Sequence, residues 1–240
     1  MRRRLRRDVR VLRYWAFVST ALLLFVSSVV VFSQAQRTVT RFDEISVERI
    51  NVVERDGSVR LVIANGTRQA DAVIDGRVIV PGSTRAPGMI FFNELGDEVG
   101  GLIFSGRVRD GQPRATGSLT FDQWKQDQTV ALQYLDENGR RRAGLSVIDR
   151  PQTSLRAVVE RNERLKAAAS DQERAAIQQE IARDRSAPRM FVGKDVDGTA
   201  TLALSDAQGR QRLQLAVAPD GTATIAFLDA AGKVVREIRP

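Results

Sequence analysis

The chain has 240 residues, of which 42% are hydrophobic and only 6% aromatic, and it contains neither cysteine nor histidine. The lack of cysteine excludes disulfides, thiol nucleophiles and thiolate metal sites, and the lack of histidine removes the commonest general base and zinc ligand. The formal net charge is +8, and residues 1–13 alone contain seven arginines against one aspartate. The rest of the chain keeps 30 of the 37 basic and 28 of the 29 acidic residues, so we expect no nucleic-acid partner.

An uncharged apolar run follows the arginine-rich tail. Residues 14–32 contain no charged side chain, and a run of this length can cross a bilayer as a helix. We therefore expect a cytoplasmic tail over residues 1–13 and a transmembrane signal anchor over residues 14–32. Because arginines favour the cytoplasmic side, the rest of the chain is expected to lie outside a bacterial inner membrane. The alternative is secretion after cleavage of a signal peptide near Ala35.

Short alternating runs follow a linker expected over residues 33–44. In residues 45–151, runs such as VRLVI (59–63) and TVALQYL (129–135) place apolar residues at every second position, which predicts strands. Asp-Gly pairs between such runs favour tight hairpin turns. The pattern predicts a mainly β fold, built as an antiparallel hairpin meander. Because one face of each strand is apolar, we expect the sheet to find a partner layer, as a sandwich or an open barrel-like structure.

The segment over residues 152–187 departs from this pattern. It is rich in Ala, Arg, Glu and Gln, and Ser170 stands three residues before Glu173, as in a capping box. We therefore predict an inserted pair of helices, near 154–169 and 171–184. Strand patterns return in residues 188–240, where DGTATLALSDAQGR (197–210) is echoed by DGTATIAFLDAAGK (220–233). The echo is interpreted as two copies of a β-hairpin unit, because its shared residues are those that turns and packing require.

Two stretches are candidates for a ligand-binding site. Acidic residues surround glycines in PGMIFFNELGDEVGGLIFSG (87–106), and aromatic residues stand among carboxylates and amides in SLTFDQWKQDQTV (118–130). Exposed aromatic rings flanked by such groups are typical of sugar-binding sites. The alternative is a charged hairpin loop in the first stretch and an aromatic cap on the core in the second. The candidate residues are Glu94, Asp97, Glu98, Phe121, Asp122, Trp124 and Asp127.

The sequence resembles uncharacterised bacterial single-pass envelope proteins with repeated D-x-x-G β-hairpin units. The resemblance is carried by residues 48–65, 87–106 and 118–151 and by LSDAQGRQRLQLAV (204–217). It implies an N-terminal membrane segment and an extracytoplasmic β region, but it assigns no activity to any residue.

From these features we expect a non-enzymatic, membrane-anchored binding or scaffold protein of the bacterial envelope, with an unknown protein or glycan partner. We expect no catalytic residue, no metal and no cofactor. One alternative is a carbohydrate- or peptidoglycan-directed domain that binds or hydrolyses its target. Another alternative is a structural homo-oligomer formed through exposed strand edges.

Overall fold

The computed structural model describes residues 12–27 and 40–240, which fall into two compact units, Met1–Ser46 and Val47–Pro240. In the first unit, residues 12–27 form a helix, α1. Within the described parts of the chain, no helix is both long and apolar enough to span a membrane. Residues 1–11 of the expected tail, 28–32 of the expected anchor and 33–39 of the linker, with the cleavage position near Ala35, lie outside the described residues.

The second unit is built mainly from strands, with one helical insertion. Two α-helices and fourteen strands lie in it. The helices are α2 (Leu155–Ala167) and α3 (Asp171–Arg183). The strands are β1 (Arg49–Val53), β2 (Val59–Ala64), β3 (Ala72–Ile74), β4 (Arg77–Val80), β5 (Gly88–Phe92), β6 (Glu98–Arg109), β7 (Gln112–Asp122), β8 (Gln128–Glu137), β9 (Arg140–Asp149), β10 (Ala187–Lys194), β11 (Ala200–Ser205), β12 (Gln211–Val217), β13 (Ala223–Leu228) and β14 (Val234–Ile238).

Twelve of these strands form a single antiparallel sheet in the order β1-β2-β5-β6-β7-β8-β9-β10-β11-β12-β13-β14. The β3–β4 hairpin interrupts the meander between β2 and β5, and the two helices interrupt it between β9 and β10. The predicted mainly β, antiparallel meander with a helical insertion is thus confirmed. The expected sandwich of two large sheets is not found, because twelve strands of Val47–Pro240 continue one sheet with β1 and β14 at its edges.

The repeated Asp-Gly pairs form the turns of this meander. Gly198 and Gly221 adopt φ values of 89° and 87°, which glycine tolerates and other residues disfavour. The Oδ1 atoms of Asp197 and Asp220 accept hydrogen bonds from the backbone N–H groups two residues later, at 2.8 and 2.9 Å. These bonds hold the pKa of both carboxyls below their ordinary range. The DGTAT echo therefore lies at the β10–β11 and β12–β13 turns.

The helical insertion begins at two side-chain caps. The Ser154 hydroxyl accepts a hydrogen bond from the Ala157 N–H at 3.2 Å, and the Ser170 hydroxyl accepts one from the Glu173 N–H at 3.1 Å. The Glu173 carboxylate in turn accepts the Ala169 N–H at 3.1 Å. These bonds satisfy amide groups that have no partner inside a helix.

The pairing register aligns one aliphatic residue from each of the twelve strands across one face of the sheet. We call this line the apolar row. Its members are Ile50, Ile63, Met89, Leu102, Leu119, Leu132, Leu145, Val192, Leu202, Leu215, Ile225 and Ile238. A second row runs beside it, and only Arg236 in that row is charged. Its members are Val52, Leu61, Phe91, Gly100, Phe121, Val130, Val147, Met190, Leu204, Leu213, Phe227 and Arg236.

The two rows form what we call the apolar face, and the core of the unit lies on the other side of the sheet. Val62, Ile90 and Ala131 alternate with the apolar rows along their strands, and all three are buried. On that side β3 contacts β6, and β4 contacts α2. Arg77 of β4 reaches Glu163 of α2 at 2.8 Å. The β3–β4 hairpin therefore packs on the side of the sheet opposite the apolar face, and α2 packs against that hairpin.

Candidate functional site

The neighbouring ends of β6, β7 and β8 bring three of the candidate carboxylates together. Glu98 begins β6, Asp122 ends β7, and Asp127 directly precedes β8. They line a small cavity of about 120 Å³ whose other walls include Arg85, residues of the β3–β4 hairpin and Leu155 at the start of α2. The register shift between Phe121 and Asp122 occurs at this end of the β7–β8 pair. We call this group of carboxylates and its wall residues the carboxylate cavity.

Two arginines partly neutralise the carboxylate cavity. Arg85 donates to both oxygens of Glu98, at 2.7 and 2.8 Å, and Arg150 lies 3.5 Å from a carboxylate oxygen of Asp127. Arg150 is also fixed by donating its Nε–H to the backbone carbonyl of Gln128 at 2.6 Å. Three carboxyl groups therefore share two guanidinium groups, and Asp122 has no ion pair of its own among the described residues.

The pKa values of two of the three carboxyl groups that share these two guanidinium groups are raised. Burial raises the pKa of Asp122 to about 7, and the negative charges of Glu98 and Asp127 add to the effect. The Oδ1 atom of Asp122 is buried without a hydrogen-bond partner among the described residues. Burial also raises the pKa of Glu98, although the hydrogen bond from Arg85 opposes that rise. Asp122 can therefore hold a proton near neutral pH.

The size of the carboxylate cavity limits its chemistry. Pockets that enclose small organic ligands usually measure about 300–1,000 Å³, whereas this cavity measures about 120 Å³. In the part of the chain that the structure describes, no three acidic residues are grouped so that they could hold a metal ion. The arrangement can hold a proton, and its Arg85–Glu98 ion pair joins β6 to the segment that follows the β3–β4 hairpin.

Two other candidate residues stand apart from the carboxylate cavity. Asp97 is only 1% exposed, and its Oδ1 accepts the backbone N–H of Asp75 in the β3–β4 turn at 2.7 Å. Lys125 in turn binds the Asp75 carboxylate. Asp97 therefore anchors the β3–β4 hairpin. Glu94 is exposed in the β5–β6 turn and lines a separate groove with residues of β1 and β2, such as Arg49.

The two aromatic candidates do not join the carboxylates. Phe121 lies in the second row of the apolar face and is 51% exposed. Because neighbouring positions of a strand point to opposite faces, its ring points away from the side on which Asp122 lies. Trp124 lies in the β7–β8 turn with 63% of its surface exposed, and Lys125 Nζ lies 5.8 Å from its ring centroid. The structure thus brings Glu98, Asp122 and Asp127 together around one cavity, and neither Phe121 nor Trp124 lines it.

The apolar face is a second candidate site, and residue-by-residue analysis of the sequence misses it. None of the twelve residues of the apolar row is buried, and Leu132 near its centre is 54% exposed. At the C-terminal end of the row, a groove of about 680 Å³ is lined by apolar side chains, among them Leu202, Leu215 and Ile225. The signal in the sequence is the repeated aliphatic residue on every strand, but pairing register is needed to align those residues.

An uncovered apolar surface of this extent is unusual for a monomeric protein. The largest apolar patch on a typical monomer covers roughly 300–600 Å², and larger patches mark interaction surfaces. Comparisons of the chain with protein-family models, with curated proteins and with solved structures found no match. The choice between the two candidate sites therefore depends on their geometry alone.

Proposed function

We propose that the protein is anchored to the bacterial inner membrane by its N-terminal segment and acts outside the cytoplasm as a binding or scaffold protein, through the apolar face of its sheet. One observation carries the proposal. The apolar row crosses all twelve strands, and no residue of Val47–Pro240 buries it. An apolar surface stays in contact with water only at a cost of about 25 cal/mol per Å², so a covering partner lowers the free energy.

The N-terminal sequence supports the proposed anchor and topology. An uncharged run over residues 14–32 next to an arginine-rich tail favours an uncleaved helix with its N-terminus in the cytoplasm. Secretion after cleavage near Ala35 would leave the same sheet outside the cytoplasm without its anchor. The two forms differ in mass and in whether they remain with the membrane fraction.

A carbohydrate- or peptidoglycan-directed role is less well supported. The carboxylate cavity is smaller than typical ligand pockets, and Phe121 faces away from it. The exposed ring of Trp124 is the feature that still favours sugar stacking. The apolar face therefore remains the better candidate.

Cysteine labelling tests the proposed function, because the chain has no cysteine of its own. Leu132 and Gln133 are adjacent, exposed residues of β8 that point to opposite faces, so Leu132→Cys and Gln133→Cys form a matched pair. Each full-length variant is expressed in bacteria, and spheroplasts are treated with a polar, membrane-impermeant maleimide. We expect Gln133→Cys to react, because it lies outside the cytoplasm, and Leu132→Cys to react at least about tenfold more slowly, because a partner covers it.

Each part of the proposal has an outcome that contradicts it. Labelling of Gln133→Cys only after the cells are broken would place the sheet in the cytoplasm. If Leu132→Cys and Gln133→Cys are labelled equally in spheroplasts, and equally again after denaturation, the apolar face is uncovered. A mature chain that begins at Gln36 and leaves the membrane fraction would replace the anchor with a cleaved signal.

A further inference from the structure

We infer that the partner covering the apolar face is a second copy of this chain, so that two sheets pack face to face around a two-fold axis. The inference rests on the proposed function, since it names the occupant of the same surface. It differs from oligomerisation through strand edges, which would pair β1 or β14 of one copy with a neighbour and leave the apolar face open.

The first argument is chemical. Of the 24 positions in the two rows, only Arg236, in the edge strand β14, is charged. A partner that covers these rows must itself present an uncharged surface, because an unpaired charge buried against them would be strongly unfavourable. A second copy presents such a surface, and its residues have the same spacing along and between strands. Identical sheets also share the same twist, which allows them to stack over many strands.

The second argument is the available area. Twelve strands about 4.8 Å apart, with two rows that each take about 6.8 Å along the strand, give a face of roughly 800 Å². Stable protein interfaces bury about 800 Å² on each partner. Phe104 and Tyr134 extend the apolar surface beyond the two rows, and both are exposed. The face is therefore large enough for a stable dimer, and its apolar character resembles that of obligate dimers.

The third argument is geometric and leads to the test. The apolar row runs from Ile50 on β1 to Ile238 on β14, and its centre lies between Leu132 on β8 and Leu145 on β9. A two-fold axis through the centre of two stacked faces makes β8 of one copy meet β8 or β9 of the other. The groove of about 680 Å³ at the C-terminal end of the row provides space for side chains from the opposing sheet.

The experiment uses full-length Leu132→Cys and Gln133→Cys in bacterial membranes, treated with a short, apolar bismaleimide that can enter a covered apolar surface from which the polar maleimide is excluded. Leu132→Cys should form a crosslinked species of twice the chain mass, at least about tenfold more abundant than that from Gln133→Cys.

A second experiment measures dimer dissociation in detergent. Leu132→Glu should dissociate to monomers at protein concentrations at least about tenfold higher than those at which the unmodified chain dissociates, whereas Gln133→Glu should dissociate at the same concentrations as the unmodified chain. Because Leu132 is exposed in the single chain, circular dichroism of both glutamate variants should match that of the unmodified protein.

Three outcomes would overturn the inference, and they differ in what they leave standing. Equal crosslinking from both positions would show that copies meet elsewhere, at the edges or through the N-terminal segment. A crosslinked species of another mass from Leu132→Cys, or protection from labelling without any crosslink, would assign the face to a lipid or another protein and preserve the proposed function. Full labelling of Leu132→Cys without a crosslink would contradict both the inference and the proposed function.

Discussion

Arg85 and Glu98 form a bidentate ion pair, with Nη1 to Oε2 at 2.8 Å and Nη2 to Oε1 at 2.7 Å, and each side chain is only 14% exposed. Arg85 belongs to the segment that follows β4, and Glu98 begins β6. Arg85 also donates to the carbonyl of Ala70 at 3.2 Å, before β3. One guanidinium group therefore ties the segments on both sides of the β3–β4 hairpin to the main sheet.

Replacing Arg85 should destabilise the protein more than replacing both partners. In Arg85→Met, Glu98 would stay in a poorly solvated site beside Asp122 and Asp127 without its counter-charge, and we expect a loss of about 2–4 kcal/mol in unfolding free energy. The double variant Arg85→Met with Glu98→Met should recover part of that loss. Chemical denaturation of the detergent-solubilised full-length chain measures both values. A double variant that is no more stable than Arg85→Met alone would contradict this account.

The raised pKa of Asp122 makes the stability depend on pH. Unfolded, this carboxyl loses its proton near pH 4, whereas in the folded chain it keeps the proton up to about pH 7. Between these values the folded state binds the extra proton, so this group's contribution to stability is present at low pH and is lost as the pH rises toward 7. Asp122→Asn mimics the protonated group and should remove that dependence, with a gain of about 1–2 kcal/mol near pH 8.

The measurement compares unfolding free energies near pH 5 and pH 8 for Asp122→Asn and the unmodified chain. Asp110→Asn, at the exposed β6–β7 turn, is the matched control, because its side chain is 92% exposed. A gain for Asp122→Asn that is equal at both pH values would refute the role of this proton.

Gly100, in the second row of the apolar face, leaves no room for a side chain against β7. Its φ is 137°, and a Cβ atom placed on it would lie 2.2 Å from the carbonyl oxygen of Thr120 on the neighbouring strand. Gly100→Ala would therefore force the β6 and β7 backbones apart, and we expect it to cost about 2–4 kcal/mol. Gly106→Ala, on the same strand with nothing within 4 Å of the added methyl group, should be neutral or slightly stabilising. Thermal unfolding followed by circular dichroism compares the two, and similar midpoints would contradict the steric explanation.

The antiparallel meander could be predicted from the sequence because its signals are local. Alternation predicts a strand over residues 59–63, and β2 covers Val59–Ala64. Asp-Gly pairs mark the turns between strands. The alternation does not predict the first half of β7, because QPRATG has no alternating apolar residues and contains Pro113. Its pairing with the longer strands β6 and β8 extends it over Gln112–Asp122.

The number of layers could not be predicted, because it depends on contacts distant in sequence. Alternation shows that each strand has an apolar side, and this led to the expectation of a sandwich or barrel-like fold. Pairing across all twelve strands places these apolar sides on one uninterrupted face of a single sheet. The carboxylate cavity could not be predicted for the same reason, because it also depends on contacts distant in sequence. Pairing of β6, β7 and β8 brings Glu98, Asp122 and Asp127 together, whereas nothing in the local sequence indicates that Arg85 neutralises Glu98.

Trp124 separates the proposed function from the glycan alternative. Its side chain is 63% exposed in the β7–β8 turn, and its one described ring contact is with Lys125 at 5.8 Å. Exposed cation–π contacts contribute about 0.5–1 kcal/mol, so Trp124→Ala should lower the unfolding free energy by no more than about 1 kcal/mol.

Binding to purified peptidoglycan, measured by cosedimentation of the full-length chain, distinguishes the two functions. If the apolar face is the binding surface, cosedimentation should be the same for Trp124→Ala and the unmodified protein. If the ring instead stacks on a sugar, the variant should keep its stability and lose binding at least about tenfold, since stacking and associated burial are worth more than about 1 kcal/mol. Lys125→Ala is the matched control, because it removes the neighbouring charge and leaves the ring in place.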